Sequence, residues 1–339
     1  MSRRPLDHAV VSLVTGDDAD QVQAVFGTRS SGDVAQALGE HVRAELGTVI
    51  VDVRYTHVSV GVALELALAD GQTVVLKALS RRTHARTCAA VEVQRRVAAA
   101  GFPAPRPIGP VQARLAASVY LMTACDRGET ITYDEGIGEL MATEYARLVR
   151  LTRDAGDVDV PDGRLPRDRL WPTPHAVLFD IDGTVGTAGP IDAIATAARA
   201  TLSHHDDEPL VVVHGDWALQ NVALRARRLV GVFDWDSITA IPETLAVAGA
   251  AAFHQQDWRR GPDGCDHDFY PGPAETLRFA ERYEQARGEP FTPAQWQALR
   301  AALVTRLAYQ ARCEHALDPA TEGPATKRLF VFAEAFGFR

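Results

Sequence analysis

Lysine is almost missing from this chain: Lys77 and Lys327 are the only two among thirty-five basic residues, and the rest are arginine. Cysteine is scarce too. Cys88, Cys125, Cys265 and Cys313 lie far apart with no C-x-x-C pair, which argues against a zinc knuckle or a disulfide scaffold and for a reducing, cytoplasmic setting. Long apolar runs are lacking. The stretch 9–14 is broken by Ser12 and is too short for a signal-peptide core, and the run 245–253 is far below the about 18 residues a membrane span needs. A basic excess is lacking as well: 35 Lys plus Arg against 44 Asp plus Glu give a formal net charge of −9. That balance argues against nucleic acid and anionic membrane as main partners. What remains is a soluble globular composition, 46% hydrophobic and 23% charged over 339 residues, long enough for about two domains. Because arginine is the default cation here, a lysine inside an apolar strand calls for a chemical reason.

The N-terminal fifty residues read as helical, with a short apolar-periodic piece at 20–26 and a second helix that Asp33 can cap, running through Val34, Leu38 and Val42 to Gly47. The period then changes. Residues 48–55 (TVIVDVRY), 62–69 (VALELALA) and 73–79 (TVVLKAL) are β-branched or alternating, and Asp70-Gly71 is a two-residue hairpin signal. A helix over 83–100 follows, stopped by Gly101 and the prolines at 103, 105 and 107, and then one more strand at 117–123. Beyond the connector at 125–128 the chain is mainly helical, with helices at 133–153, 191–203, 243–253, 274–287, 293–317 and 324–336. Residues 155–190 are rich in Pro, Gly and Asp and read as irregular. A strand at 210–213 and a hairpin over 222–233, turning near Ala226 and Arg227, interrupt the helices. Strands early and helices late, divided near residue 125, predict an α+β protein of two lobes, 1–124 and 125–339, with a cleft between them.

The sharpest segment is V-V-V-H-G-D-W-A-L-Q-N over 211–221, followed by the hairpin that ends in Phe233-Asp234-Trp235-Asp236. A buried strand delivers a loop with Asp216 and, five positions on, Asn221, and antiparallel pairing predicts that the returning hairpin sets Asp234 beside Asn221. A carboxylate and an amide oxygen holding one hard cation, with a further carboxylate near an incoming hydroxyl, is what metal-assisted phosphoryl transfer requires.

These residues resemble the aminoglycoside phosphotransferase and choline kinase family, relatives of the protein kinases. The pattern H-G-D-x-x-x-x-N matches at 214–221, and the family's second metal-binding aspartate matches Asp234. The resemblance implies a bilobal protein-kinase-like fold, with a small antiparallel-sheet N-lobe and a mainly helical C-lobe. It implies ATP or GTP as phosphate donor, Mg²⁺ as cofactor and a small-molecule hydroxyl as acceptor, for example on an aminoglycoside-like antibiotic. Asp216 is then the catalytic base, Asn221 and Asp234 are Mg²⁺ ligands, and His214 braces the loop. Many members carry His-Pro-Gly between the Asp and the Asn, where this chain has Ala218-Leu219-Gln220.

In kinase-like proteins a third-strand lysine contacts the α- and β-phosphates and pairs with a glutamate on the following helix. Lys77 lies on the third strand and Glu92 on the helix after it, so the two are expected to pair. The loop 56–61 occupies the place of a phosphate-covering turn, with Ser59 as a donor to phosphate, and 122–126 is the expected hinge, offering backbone groups of Thr123 and Cys125 to a purine edge.

Two other readings compete. A nucleotide-binding sensor of the same fold would need Lys77 but not Asp216. The segment F-D-I-D-G-T-V over 179–185 resembles the signature of haloacid-dehalogenase-type phosphatases, in which Asp180 would be the nucleophile. That family needs a later lysine followed by an acidic pair, and the only later lysine, Lys327, has no such pair after it; a turn favoured by Asp and Gly explains the segment equally well. The run His204-His205-Asp206-Asp207 reads as a solvated loop. Asp263, Asp266 and Asp268, with Glu275 nearby, form an acidic stretch suited to a cationic acceptor or simply to solubility. Trp217, Trp235 and Trp258 line the cleft or fill core.

Overall fold

A computed structural model describes residues 4–129, 133–153, 157–174, 179–205, 207–257 and 270–339. Asp206, Trp258, Asp263, Cys265, Asp266 and Asp268 lie outside the described residues. The chain forms two compact units, one made of Met1–Gly128 with Val230–Asp236 and the other of Glu129–Leu229 with Ser237–Arg339. The chain therefore leaves the first unit after Gly128 and returns to it for seven residues, which a single boundary near residue 125 does not provide for.

The N-terminal unit begins with three helices, α1 (Leu6–Thr15), α2 (Ala19–Phe26) and α3 (Ser31–Leu46). The cap of α3 is Ser30, not Asp33: the Ser30 hydroxyl accepts from the Asp33 amide at 3.3 Å, and Gly47 ends the helix in the left-handed region. Five antiparallel strands follow, β1 (Ile50–Val58), β2 (Val62–Leu68), β3 (Thr73–Ser80), β4 (Pro107–Arg114) and β5 (Ala117–Thr123), in the order β1-β2-β3-β5-β4. Strand β4 was hidden in the sequence by its prolines. It is an edge strand with a register shift between Ile108 and Gln112, the setting in which a sheet tolerates proline. Alternate residues Val62, Leu64, Leu66 and Leu68 of β2, with Leu76 and Leu121 beside them, share one core with Val10, Val25 and Leu38 of the three helices. Helix α4 (His84–Ala99) links β3 to β4.

The C-terminal unit is mainly helical. Asp134 caps α5 (Glu135–Thr152) by accepting from the Ile137 amide at 2.9 Å. Helices α6 (Gly189–Leu202), α7 (Glu243–Phe253), α8 (Pro273–Arg287), α9 (Pro293–Leu317) and α10 (Pro324–Phe336) complete it, with α6, α7 and α10 all packed on α9. A Thr292–Gln295 capping box and Pro293 start that central helix. Strand β6 (Leu210–His214) pairs antiparallel with β9 (Ile238–Pro242), a strand the sequence reading left out. Between them β7 (Val222–Arg225) and β8 (Arg228–Val232) form a hairpin whose turn residues, Ala226 and Arg227, both have positive φ, as a type I′ turn demands. Among the described residues no helix is long and apolar enough to cross a membrane.

Candidate active site

In the C-terminal unit, β6 carries the chain into the loop that holds Asp216. His214 is buried, and its Nδ1 lies 3.3 Å from the Asp216 amide and 3.2 Å from the Ser237 hydroxyl, so the imidazole ties the loop to the chain entering β9. A Cβ on Gly215 would come 2.7 Å from the Ser237 carbonyl oxygen, an approach only glycine permits. Trp217 is buried as core, donating from Nε1 to the Met141 carbonyl at 3.1 Å. One 3₁₀ turn, Leu219–Asn221, then swings Asn221 back. Its amide nitrogen donates to Asp216 Oδ2 at 2.7 Å and to the Asp216 carbonyl at 2.9 Å. The five-residue spacing is thus the length of one closed turn that aligns a carboxylate with an amide.

In the N-terminal unit, Lys77 sits in the middle of β3, opposite Ala63 and Tyr120. Its ammonium is 2.5 Å from Asp234 and also pairs with Asp236. Their side chains are 9%, 37% and 13% exposed for Lys77, Asp234 and Asp236. The segment Val230–Asp236 is fastened by the Val232 amide to the Pro103 carbonyl at 2.8 Å, and by buried Trp235, edge-on to Phe102 and donating to the Val232 carbonyl at 2.7 Å. Asp234 itself has φ of 63°, a conformation disfavoured for a non-glycine residue and found where the surroundings impose it. Burial alone would lower the Lys77 pKa, but the two carboxylates outweigh it and hold the ammonium charged. Burial raises the Asp236 carboxyl, and Lys77 opposes that only in part because Asp234 competes for the same cation. Sequence reasoning missed Asp236; its signal was the second acid of the D-W-D triplet.

Glu92 departs from expectation. Its carboxylate binds Arg95 at 2.6 Å and Arg96 at 2.9 Å, one turn ahead on the same helix, and no Lys77–Glu92 pair forms. Local i,i+3 and i,i+4 partners take the carboxylate, and the Arg96 hydrogen bond foremost lowers its pKa. In the 59–61 loop the Ser59 amide donates to the Gly61 carbonyl at 2.9 Å. A Cβ on Gly61 would meet the Ala78 carbonyl oxygen at 2.7 Å and Leu79 Cδ2 at 2.5 Å, so glycine is needed where this loop lies on β3. The Thr123 amide and hydroxyl are both engaged with the Arg106 backbone at 2.9 Å, so a purine-edge role for Thr123 falls to its carbonyl. Cys125 is half-buried, and burial foremost pushes its thiol up to about 11.

The segment around Asp180 does structural work. The Asp180 carboxylate accepts from the Gly183 amide at 2.8 Å, and the turn leads into a 3₁₀ helix, Asp182–Thr187. Fully buried Arg312 donates to Thr184 Oγ1 at 2.7 Å and to the Ile181 carbonyl, and faces Asp192. His205 pairs with Glu208 at 2.7 Å. Among the described residues no group of three or more His, Cys, Asp or Glu is arranged to hold a metal. Asp234 and Asn221 are nonetheless hard oxygen ligands of the type Mg²⁺ accepts. Asn221 turns its nitrogen to Asp216, which leaves its amide oxygen for a cation.

A family model described as the phosphotransferase enzyme family matches residues 65–301. The chain belongs to this family. Solved structures similar to the phosphotransferase include an amicoumacin kinase in complex with AMP-PNP and Ca²⁺, 13% identical, covering 84% of this chain and 87% of that one with a TM-score of 0.58. The aminoglycoside phosphotransferase APH(4)-Ia, in a ternary complex with ADP and hygromycin B, is 13% identical over 88% of this chain and 98% of that one, with a TM-score of 0.55. The macrolide 2′-phosphotransferase MphH from Brachybacterium faecium is 13% identical over 85% and 99%, with a TM-score of 0.50. No curated protein matches the sequence significantly. The α+β, protein-kinase-like fold expected from the sequence is the fold of these structures. In this phosphotransferase the triplet that replaces His-Pro-Gly packs inward: Ala218 and Leu219 are buried, and the Gln220 amide donates to the Gln256 carbonyl at 3.1 Å.

Proposed function

We propose that this phosphotransferase moves the γ-phosphoryl group of ATP or GTP to a hydroxyl of a small molecule, with an aminoglycoside-like antibiotic as the first acceptor to test. The observation that carries the reading is the lock between Asp216 and Asn221. With Oδ2 and the backbone carbonyl of Asp216 holding Asn221, Oδ1 is the oxygen that takes the acceptor's proton as the new O–P bond forms and the bond to the β-phosphate oxygen breaks. Lys77, held charged within β3, binds the α- and β-phosphates. Ser59 donates to phosphate from the loop ahead of β2, and the Thr123 carbonyl with the Cys125 backbone meets the purine edge. Asn221 and Asp234 hold Mg²⁺, which when bound neutralises the charge on the phosphate oxygens. Free Cys88, Cys125 and Cys313 and the nucleotide donor suit a cytoplasmic enzyme.

The experiment is a thermal-shift titration with Mg²⁺ and ATP or GTP, followed by an acceptor panel containing hygromycin B, streptomycin, a macrolide and choline, read by ³¹P NMR for a new phosphomonoester. Metal-dependent nucleotide consumption that requires an acceptor supports the proposal. Nucleotide binding without transfer to any hydroxyl favours the sensor reading, and nucleotide-independent phosphatase activity that depends on Asp180 overturns both.

A further inference from the structure

The N-terminal unit contains an open pocket of about 810 Å³, lined by Gln21, Val25, Phe26 and Thr28 from the end of α2 and by Ser80, Arg81, Arg82, Leu115 and Ala116 from the ends of β3, β4 and β5. None of these residues belongs to the site described above. The walls are fixed by main-chain contacts. The Ala116 amide donates to the Phe26 carbonyl at 3.2 Å, and the Arg81 amide to the Ala116 carbonyl at 2.8 Å. Gly27, with φ of 74°, lies so close that a Cβ would sit 2.8 Å from that of Ala116. Leu115 is held at φ of 53° with its side chain exposed. The concavity is therefore built before any ligand arrives, which lowers the ordering cost of binding.

The charged residues of its lining are all cationic. Some surface arginines elsewhere find carboxylates, such as Arg29 with Asp20 and Arg127 with Glu65. Arg81 and Arg82 are exposed at the pocket rim, and among the described residues neither has an ion-pair partner. No acidic residue lines the pocket. Two adjacent guanidinium forks beside an apolar wall match a ligand that carries a compact oxyanion on an apolar body, because planar forks bind phosphate oxygens bidentately.

We propose that this pocket is a second ligand site, which takes a small organic phosphate monoester with its phosphate on Arg81 and Arg82 and its apolar body against Val25, Phe26 and Leu115. The test is ligand-observed NMR of the full chain titrated with phenyl phosphate at millimolar concentrations. Benzoate serves as the carboxylate arm and phenol as the uncharged one. Arg81→Ala/Arg82→Ala should weaken phenyl phosphate binding about tenfold or more, while Arg300→Ala, at an exposed arginine of α9 outside the pocket, leaves it unchanged and phenol does not bind. Benzoate should bind more weakly than phenyl phosphate; equal or tighter binding would overturn the assignment to phosphate. Both arginines are exposed, so the double variant should keep the parent's unfolding midpoint. Leu115→Glu sets a carboxylate on the apolar wall and should also abolish binding. Full affinity in either pocket variant, loss of binding in Arg300→Ala, or no binding by the parent chain would each overturn the proposal.

Discussion

Replacing Lys77 by methionine keeps the length of the side chain and removes the cation that pairs with both Asp234 and Asp236. Removing one partner of a buried ion pair costs about 3–5 kcal/mol because the other charge is left unsolvated. That scale applies to Asp236, whose side chain is 13% exposed; Asp234, at 37%, is partly screened by water and adds little. The expected loss is therefore about 3 kcal/mol of stability at neutral pH. In the variant, burial and Asp234 hold the Asp236 carboxyl above its unfolded pKa without the Lys77 charge to oppose them. The penalty is thus present in full above the folded pKa and fades as pH falls toward the unfolded value. Lys77→Met/Asp236→Asn should regain part of the loss, with a coupling energy of about 1 kcal/mol or more. Urea unfolding followed by tryptophan fluorescence is the assay, since Trp235 is buried between the two aspartates in sequence. A loss under about 0.5 kcal/mol for Lys77→Met, or a double variant equal to the sum of the singles, would refute the claim that these three groups form one electrostatic unit.

His254 is buried, and desolvation, with the Arg328 charge behind it, holds its pKa at about 4 against the Ala251 carbonyl; the unfolded chain takes up that proton first, so stability should fall as pH drops from about 6.5 to about 4, by up to about 3 kcal/mol. His254→Gln should flatten the profile of urea midpoint against pH in that window, and identical profiles would contradict the assignment. Gly61→Ala forces a Cβ against the Ala78 carbonyl, so it should lower stability by about 1–3 kcal/mol and raise the nucleotide KM, and an unchanged KM would show that the loop does not serve the nucleotide. Arg312→Met should lower the unfolding midpoint, by about 3 kcal/mol in stability, whereas Asp180→Asn, which can still accept from the Gly183 amide, should stay within about 1 kcal/mol.

How much was legible beforehand varies with the range of the interaction involved. Strands β1 to β3, β5 and most helices carry their period and caps within themselves, and the 214–221 motif closes within one turn. Strand β4 was unreadable because its prolines contradict strand propensity and only an edge position tolerates them. Strand β9 was unreadable because its five residues gain their structure from pairing with β6, some thirty positions earlier. The Lys77–Glu92 pair was inferred from a general kinase pattern, yet Arg95 and Arg96 compete for the glutamate at helical spacing, and both were visible in the sequence. The partners Lys77 does have lie 157 and 159 residues away, a separation at which no local pattern reports contact. Arg312 reaches the 180–184 turn across 128 residues, which is why that turn read as a loose loop.

The role of Asp216 is the centre of the account, and single-turnover phosphoryl transfer in Asp216→Asn measures it most directly. The substitution keeps the size of the side chain and an oxygen for Asn221 while removing the proton acceptor. With an acceptor identified from the panel and Mg²⁺ present, the rate should fall by about 10² or more, with nucleotide affinity by thermal shift unchanged. A near-normal transfer rate in this variant would contradict the assignment of Asp216 as the base.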